Sequence, residues 1–181
     1  MKLKNLLSAG AAAVLCLAVL CSCGGGASSA APASSQPAAV SGAASDSEVD
    51  VQAVADAILA VNTISNPFTL TDTNVKLDLN LEPEAYVAYA CVRSNDTDTN
   101  AGTVFVIQAA EGQADAVVAA LEAYRDAQVA VLSNYADTAD IKVDMENASI
   151  QARGDLVVMA VVSTEAADAG AVQSAVDSAL A

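Results

Sequence analysis

Two apolar runs, Tyr86-Val-Ala-Tyr-Ala-Cys-Val-Arg93 and Thr103-Val-Phe-Val-Ile-Gln-Ala109, flank the polar stretch Ser94–Gly102. Both have strand length and are rich in β-branched and aromatic residues, and the gap between them is short, so they predict an antiparallel hairpin. Downstream, Glu111-Gly112 turns the chain into a helix. Val117, Val118, Leu121, Tyr124, Val131 and Leu132 lie on or near one face of it, and Asn134-Tyr135 closes it. After an acidic connector the pattern returns. Ala148–Arg153 and Leu156–Ser163 predict two further strands around a Gly154-Asp155 turn, the second almost wholly apolar and therefore central. Thr164 is the expected cap of a last helix, in which Ala169, Val172, Val176 and Leu180 stay in step.

On the N-terminal side, Val51, Val54, Ile58 and Val61 recur at helical spacing, with Ser45 and Glu48 placed as a capping box. Asn66-Pro67 ends that helix. Residues 64–84 read as irregular, with short extended or single-turn pieces, and Glu82-Pro83-Glu84 as a turn or the start of a brief helix. The order α-β-β-α-β-β-α predicts an α+β domain over residues 46–181. The expected form is a two-layer sandwich, a four-stranded, mainly antiparallel sheet with helices packed on one face. Aromatic residues are only 3% of the chain and Trp is missing, so Val, Ile, Leu and Ala must build a thin core.

The N-terminus carries the strongest signal. Lys2 and Lys4 precede an apolar stretch, Leu6–Leu20, too short to span a bilayer comfortably, since a span needs about 20 apolar residues. Its form is that of an export signal. Leu20-Cys21-Ser22-Cys23 follows, with Leu at −3, a small residue at −1 and then a thiol. This resembles the lipobox of bacterial lipoproteins. Cys16 and Cys21 each follow a bulky Leu, so Cys23 is the expected acceptor. The expectation is a signal peptide over 1–22 and palmitate-type acylation on Cys23. A disordered Gly/Ala/Ser/Pro tether would run to residue 45, with the domain on the outer face of the cell membrane. Two acyl chains suffice for stable anchoring. Cys91 would then be the one free thiol, and no internal disulfide could form.

The formal charge is −15, and loss of the leader leaves 5 basic against 22 acidic residues, a net of −17. Such a surface repels phosphate backbones and anionic head groups alike, so no nucleic-acid partner is expected. The chain has no His, which removes serine-hydrolase triads, Cys–His pairs and His-based zinc sites. One mature thiol cannot hold an iron–sulfur cluster, and Gly24–Gly26 precedes no helix and cradles no phosphate. No cofactor is expected. Asp96, Asp98 and Asn100 alternate as calcium ligands can, although Gly102 falls at the seventh position of such a loop and Ile107 at the twelfth, against Gly at six and Glu at twelve in an EF-hand. A polar hairpin turn explains the same residues. Cys91, mid-strand, reads as a small buried hydrophobe on the same face as Arg93. Tyr86, Tyr89, Tyr124 and Tyr135 either cap the core with their hydroxyls at the rim or form a contact patch.

The stretch from about Asp46 onward resembles a family of small Gram-positive surface lipoproteins, domain of unknown function 4358. The resemblance lies in Thr103-Val-Phe-Val-Ile-Gln followed by Glu111-Gly-Gln-Ala-Asp-Ala-Val and a helix, in Tyr135 just after that helix, and in Ala148-Ser-Ile-Gln-Ala-Arg-Gly154-Asp-Leu-Val-Val. A lipobox leader belongs to the same pattern. These are fold markers, not catalytic motifs, and the resemblance brings no activity with it. This copy departs from the pattern in being rich in Ala and poor in Lys. The expected function is a non-enzymatic, membrane-anchored module that binds an envelope protein or a small ligand. The alternative is a carboxylate-based envelope hydrolase, which requires a concave pocket holding two close acids, one with a raised pKa.

Overall fold

The computed structural model describes residues 49–166 and 168–181. The leader, Cys23, the tether and the Ser45/Glu48 pair lie outside the described residues. The elements are α1 (Val51–Leu59), β1 (Pro67–Thr69), α2 (Asp72–Asp78), β2 (Tyr86–Ser94), β3 (Thr103–Ala109), α3 (Ala114–Leu132), α4 (Ala139–Glu146), β4 (Ser149–Arg153), β5 (Leu156–Val161) and α5 (Ala169–Ala179). Short 3-10 turns occupy Pro83–Ala85 and Ala136–Thr138.

Every residue of β5 is buried, and in β3 only Gln108 is partly open. Successive side chains on a strand point to opposite faces, so burial at every position requires cover on both sides of the sheet. The side chains divide accordingly. Phe105, Ile107, Val157, Met159 and Val161 pack with Val75, Val117, Leu121 and Met145 from α2, α3 and α4. Val104, Val106, Leu156, Val158 and Ala160 pack with Val51, Ala55, Ile58, Val172 and Val176 from α1 and α5. The α+β class is therefore met, but the expectation of two layers with helices on one face is not. The sheet lies between two helical layers.

The sheet has five strands, not the expected four, in the order β1-β2-β3-β5-β4, and every neighbouring pair is antiparallel. The added strand is β1, which pairs Pro67 with Ser94, Phe68 with Arg93 and Thr69 with Val92. At three residues starting on Pro, it is too short to show alternation. The other outer strand, β4, is five residues long, with Ala152 and Arg153 exposed. Gly154, at φ +58°, makes the β4–β5 turn as expected.

Aspartates cap two of the helices. Asp50 caps α1, its Oδ1 accepting from Gln52 N at 3.1 Å and Ala53 N at 3.0 Å. Asp168 caps α5 by accepting from Gly170 N at 2.9 Å, whereas Thr164 lies in the preceding turn. The acidic connector contains α4, whose inward residues are Ile141 and Met145. Asn62, fully buried, donates to Val161 O at 2.9 Å and accepts from Ser163 N at 2.8 Å, so it ties the segment after α1 to the end of β5. Among the described residues, no helix is long and apolar enough to cross a membrane.

Candidate functional site

At the end of the sheet where β2 runs into β3, the connecting loop is held from within. Ser94 N donates to Gly102 O at 2.8 Å, and Asp96 N donates to Ser94 Oγ at 3.0 Å. Asn100 is buried. Its Oδ1 accepts from Gly102 N at 2.8 Å, and its Nδ2 donates to Ser163 Oγ at 2.9 Å. Both Asp96 carboxylate oxygens accept from Asn66 Nδ2, at 3.0 and 3.1 Å. The calcium candidates Asp96, Asp98 and Asn100 thus do not converge. The oxygens of Asp96 and Asn100 are engaged with different neighbours, and Asp98 faces solvent. Among the described residues no three His, Cys, Asp or Glu side chains are grouped to hold a metal ion. The polar hairpin turn is the better account of this loop.

Because the loop is fixed, it forms one wall of a groove whose other wall is α3. Tyr124, Gln128 and Leu132 follow at four-residue spacing and so share the face of α3 turned to the loop. Thr97 and Gln128 line all three segments of the groove. The innermost is barely water-sized, about 10 Å³, and reaches Asn100, Gly102 and Met145. The middle, about 260 Å³, is lined by Asp78, Arg93, Thr97, Tyr124 and Gln128. The outer, about 340 Å³, adds Asp98, Val131, Leu132, Tyr135, Asp137 and Thr138.

Arg93 sets the electrostatics. Its guanidinium lies 5.0 Å from the centre of the Phe68 ring, and Nη1 donates to Ser94 O at 3.2 Å. The remaining described cations are occupied. Lys76 pairs with Glu82 at 2.6 Å, Arg125 with Asp126 at 2.9 Å and Lys142 with Glu146 at 2.6 Å, while Arg153 donates to Leu180 O. Among the described residues Arg93 has no carboxylate partner, and Asp78 has no cationic one. Tyr124 sits against Phe105, ring centres 5.4 Å apart. Burial pushes its phenol up to about 12, with Arg93 opposing the shift and Asp78 adding to it. Both charges therefore act on the floor of the groove.

The tyrosines occupy different settings. Tyr86 and Tyr89 meet edge to face at 5.4 Å, and Tyr89 Oη donates to Asp72 Oδ1 at 2.5 Å. Tyr124 belongs to the core, and Tyr135, 60% exposed, stands on the outer groove. Cys91 is fully buried, and burial pushes its thiol up, which suppresses the reactive thiolate. The carboxyl group raised by burial, and secondarily by Asp140, is Asp144 on α4. It lines none of the three groove segments, whose acidic residues are Asp78, Asp98 and Asp137. Sequence reasoning missed Asp78, Thr97 and Gln128 altogether, and placed Arg93 only as a neighbour of Cys91. The available signal was an Arg at a strand end in a chain with few cations.

No curated protein and no solved structure matches the chain. A family model described as a domain of unknown function (DUF4358) matches residues 62–162. The matched span contains all five strands and every residue lining the groove, and it leaves α1 and α5 outside. With more than half of its length under that model, the chain belongs to the DUF4358 family.

Proposed function

We propose that this protein is a lipid-anchored, extracytoplasmic and non-enzymatic binding module that takes a small ligand, or a segment of an envelope protein, into the groove between the 95–102 loop and α3. One observation carries the reading. The groove is lined by polar groups with unspent hydrogen-bonding capacity, Arg93 foremost, on a pre-formed scaffold of β2, β3 and α3. Pre-formed concavity with a few convergent polar groups is what a binding site needs, because little ordering entropy is then spent on association. The anchor rests on the lipobox, in which Ser22 precedes Cys23. An acidic globule on a tether stands off anionic head groups and leaves its groove open to solvent.

The test compares the full chain with its Thr97→Trp variant, which fills a groove wall at an exposed loop position. Both are screened for thermal stabilisation by envelope-derived small molecules and peptides. Stabilisation of the wild type that the variant loses is the expected result. Turnover of any of these compounds would replace binding by catalysis. Mass spectrometry of the native product tests the anchor: an unacylated Cys23 would remove it.

A further inference from the structure

We propose that the middle segment of the groove binds a zwitterion of amino-acid size, its carboxylate on Arg93 and its ammonium on Asp78. The proposal rests on the groove being a binding site and names the chemistry of its ligand. Both charges line one cavity of about 260 Å³, yet they do not form an ion pair with each other. Opposite charges that share a cavity without touching leave room between them for a ligand that carries the complementary pair. A guanidinium has five N–H donors in a planar fork matched to a carboxylate. In Arg93 one protein hydrogen bond is made, to Ser94 O, and the Phe68 ring holds the plane.

Asp78 is the last residue of α2 and supplies the negative pole of the cavity. Tyr124 and Gln128 line the same cavity, and a phenol and an amide can each donate to or accept from a ligand group. Size and field narrow the class further. Sites for drug-sized ligands run from about 300 Å³ upward, so this segment suits something smaller. The chain's net charge of −15 repels phosphates and dicarboxylates but not a ligand of zero net charge. The outer segment, with Val131, Leu132 and Tyr135, lies where a side chain would extend.

The test is an amide-resolved NMR titration of the full chain with L-alanine, N-acetyl-L-alanine, L-alaninamide and inorganic phosphate, repeated on Arg93→Gln and Asp78→Asn. The same spectra report whether each variant is folded. L-Alanine is expected to shift the Thr97 and Gln128 amides. Blocking either ligand charge, or removing either protein charge, should weaken binding by roughly tenfold or more, the scale of a lost charge-assisted hydrogen bond. If N-acetyl-L-alanine or phosphate binds as well as alanine in an Arg93-dependent way, the zwitterion is overturned while the groove stands as an anion site. If alaninamide binds as well and Arg93→Gln has no effect, the proposal falls to simple cation attraction. If none of the four probes moves those amides, it falls too. The broader groove reading then fails only if the Thr97→Trp comparison also finds no ligand.

Discussion

Val157 and Val158 are neighbours in β5, both fully buried, and they point into different helical layers. Trimming each to Ala in turn measures whether the sheet is covered on both sides. Val→Ala removes two methylene equivalents, about 1.6 kcal/mol of transfer free energy at ~0.8 kcal/mol each. The cavity left on a central strand cannot relax fully, which raises the expected cost to about 2–3 kcal/mol. Val157 is flanked by Ile107 and Ala152, and Val158 by Val106 and Gln151, on paired strands either side of β5 that hold the backbone in place. The prediction is that Val157→Ala and Val158→Ala destabilise by similar amounts. Urea unfolding of the full chain, followed by far-ultraviolet circular dichroism, reads the effect. With m near 1–3 kcal/mol/M, each midpoint should fall by about 0.7–3 M at unchanged m. If either variant costs less than about 0.5 kcal/mol, the range of ordinary surface substitutions, one face of the sheet is open and the three-layer account is wrong.

Asn62→Ala should cost about 2–4 kcal/mol in the same assay, because it strands the Val161 carbonyl and the Ser163 N–H in the interior. A cost under 1 kcal/mol would mean that water replaces the amide. Gly102→Ala should be worse than Gly154→Ala. A Cβ on Gly102 would stand 2.9 Å from both Asn100 Oδ1 and Ser163 Cβ, whereas one on Gly154 meets nothing and pays only for its φ of +58°, about 1–2 kcal/mol. Equal melting temperatures for the two variants would contradict that packing. Cys91 gives a pH prediction. Its thiol is raised in the fold by burial, so the unfolded chain releases the proton first as pH climbs past the ordinary value of 9.0. The unfolded state then binds fewer protons, and stability falls with rising pH from there. Cys91→Ala should flatten this alkaline decline, whatever its effect at neutral pH, and a slope identical to the wild type's would exclude the thiol as a cause.

Much of the fold was legible because long elements carry period. The β2–β3 hairpin, α3, the β4–β5 hairpin and the line of apolar residues in α5 were read where they occur. What failed was short or depended on tertiary context. β1 is only Pro67–Thr69, and α2 and α4 show one or two inward residues each, below what periodicity can resolve. The second helical layer was foreshadowed by the unbroken apolar run of β5, since an unalternating strand needs cover on both faces. At the site, Asp96 and Asn100 drew attention because acidic and amide residues alternate there. Their oxygens instead fasten the loop that shapes the groove. Arg93 and Asp78 are far apart along the chain, and only β2–β1 pairing and the packing of α2 bring them to one cavity.

The outer strands have a consequence for molecules gathered at high density. A sheet edge normally offers a row of unspent amides and carbonyls on which a neighbouring polypeptide can zip itself. Here one margin carries, over Val92–Ser94 of β2, a three-residue strand opening on an imino acid with no N–H to give, and the other ends on the exposed cation of Arg153. Crowded copies, each repelling the next through a shared surplus of negative charge, find little template for fibrous association, so concentration alone should not drive them to coalesce.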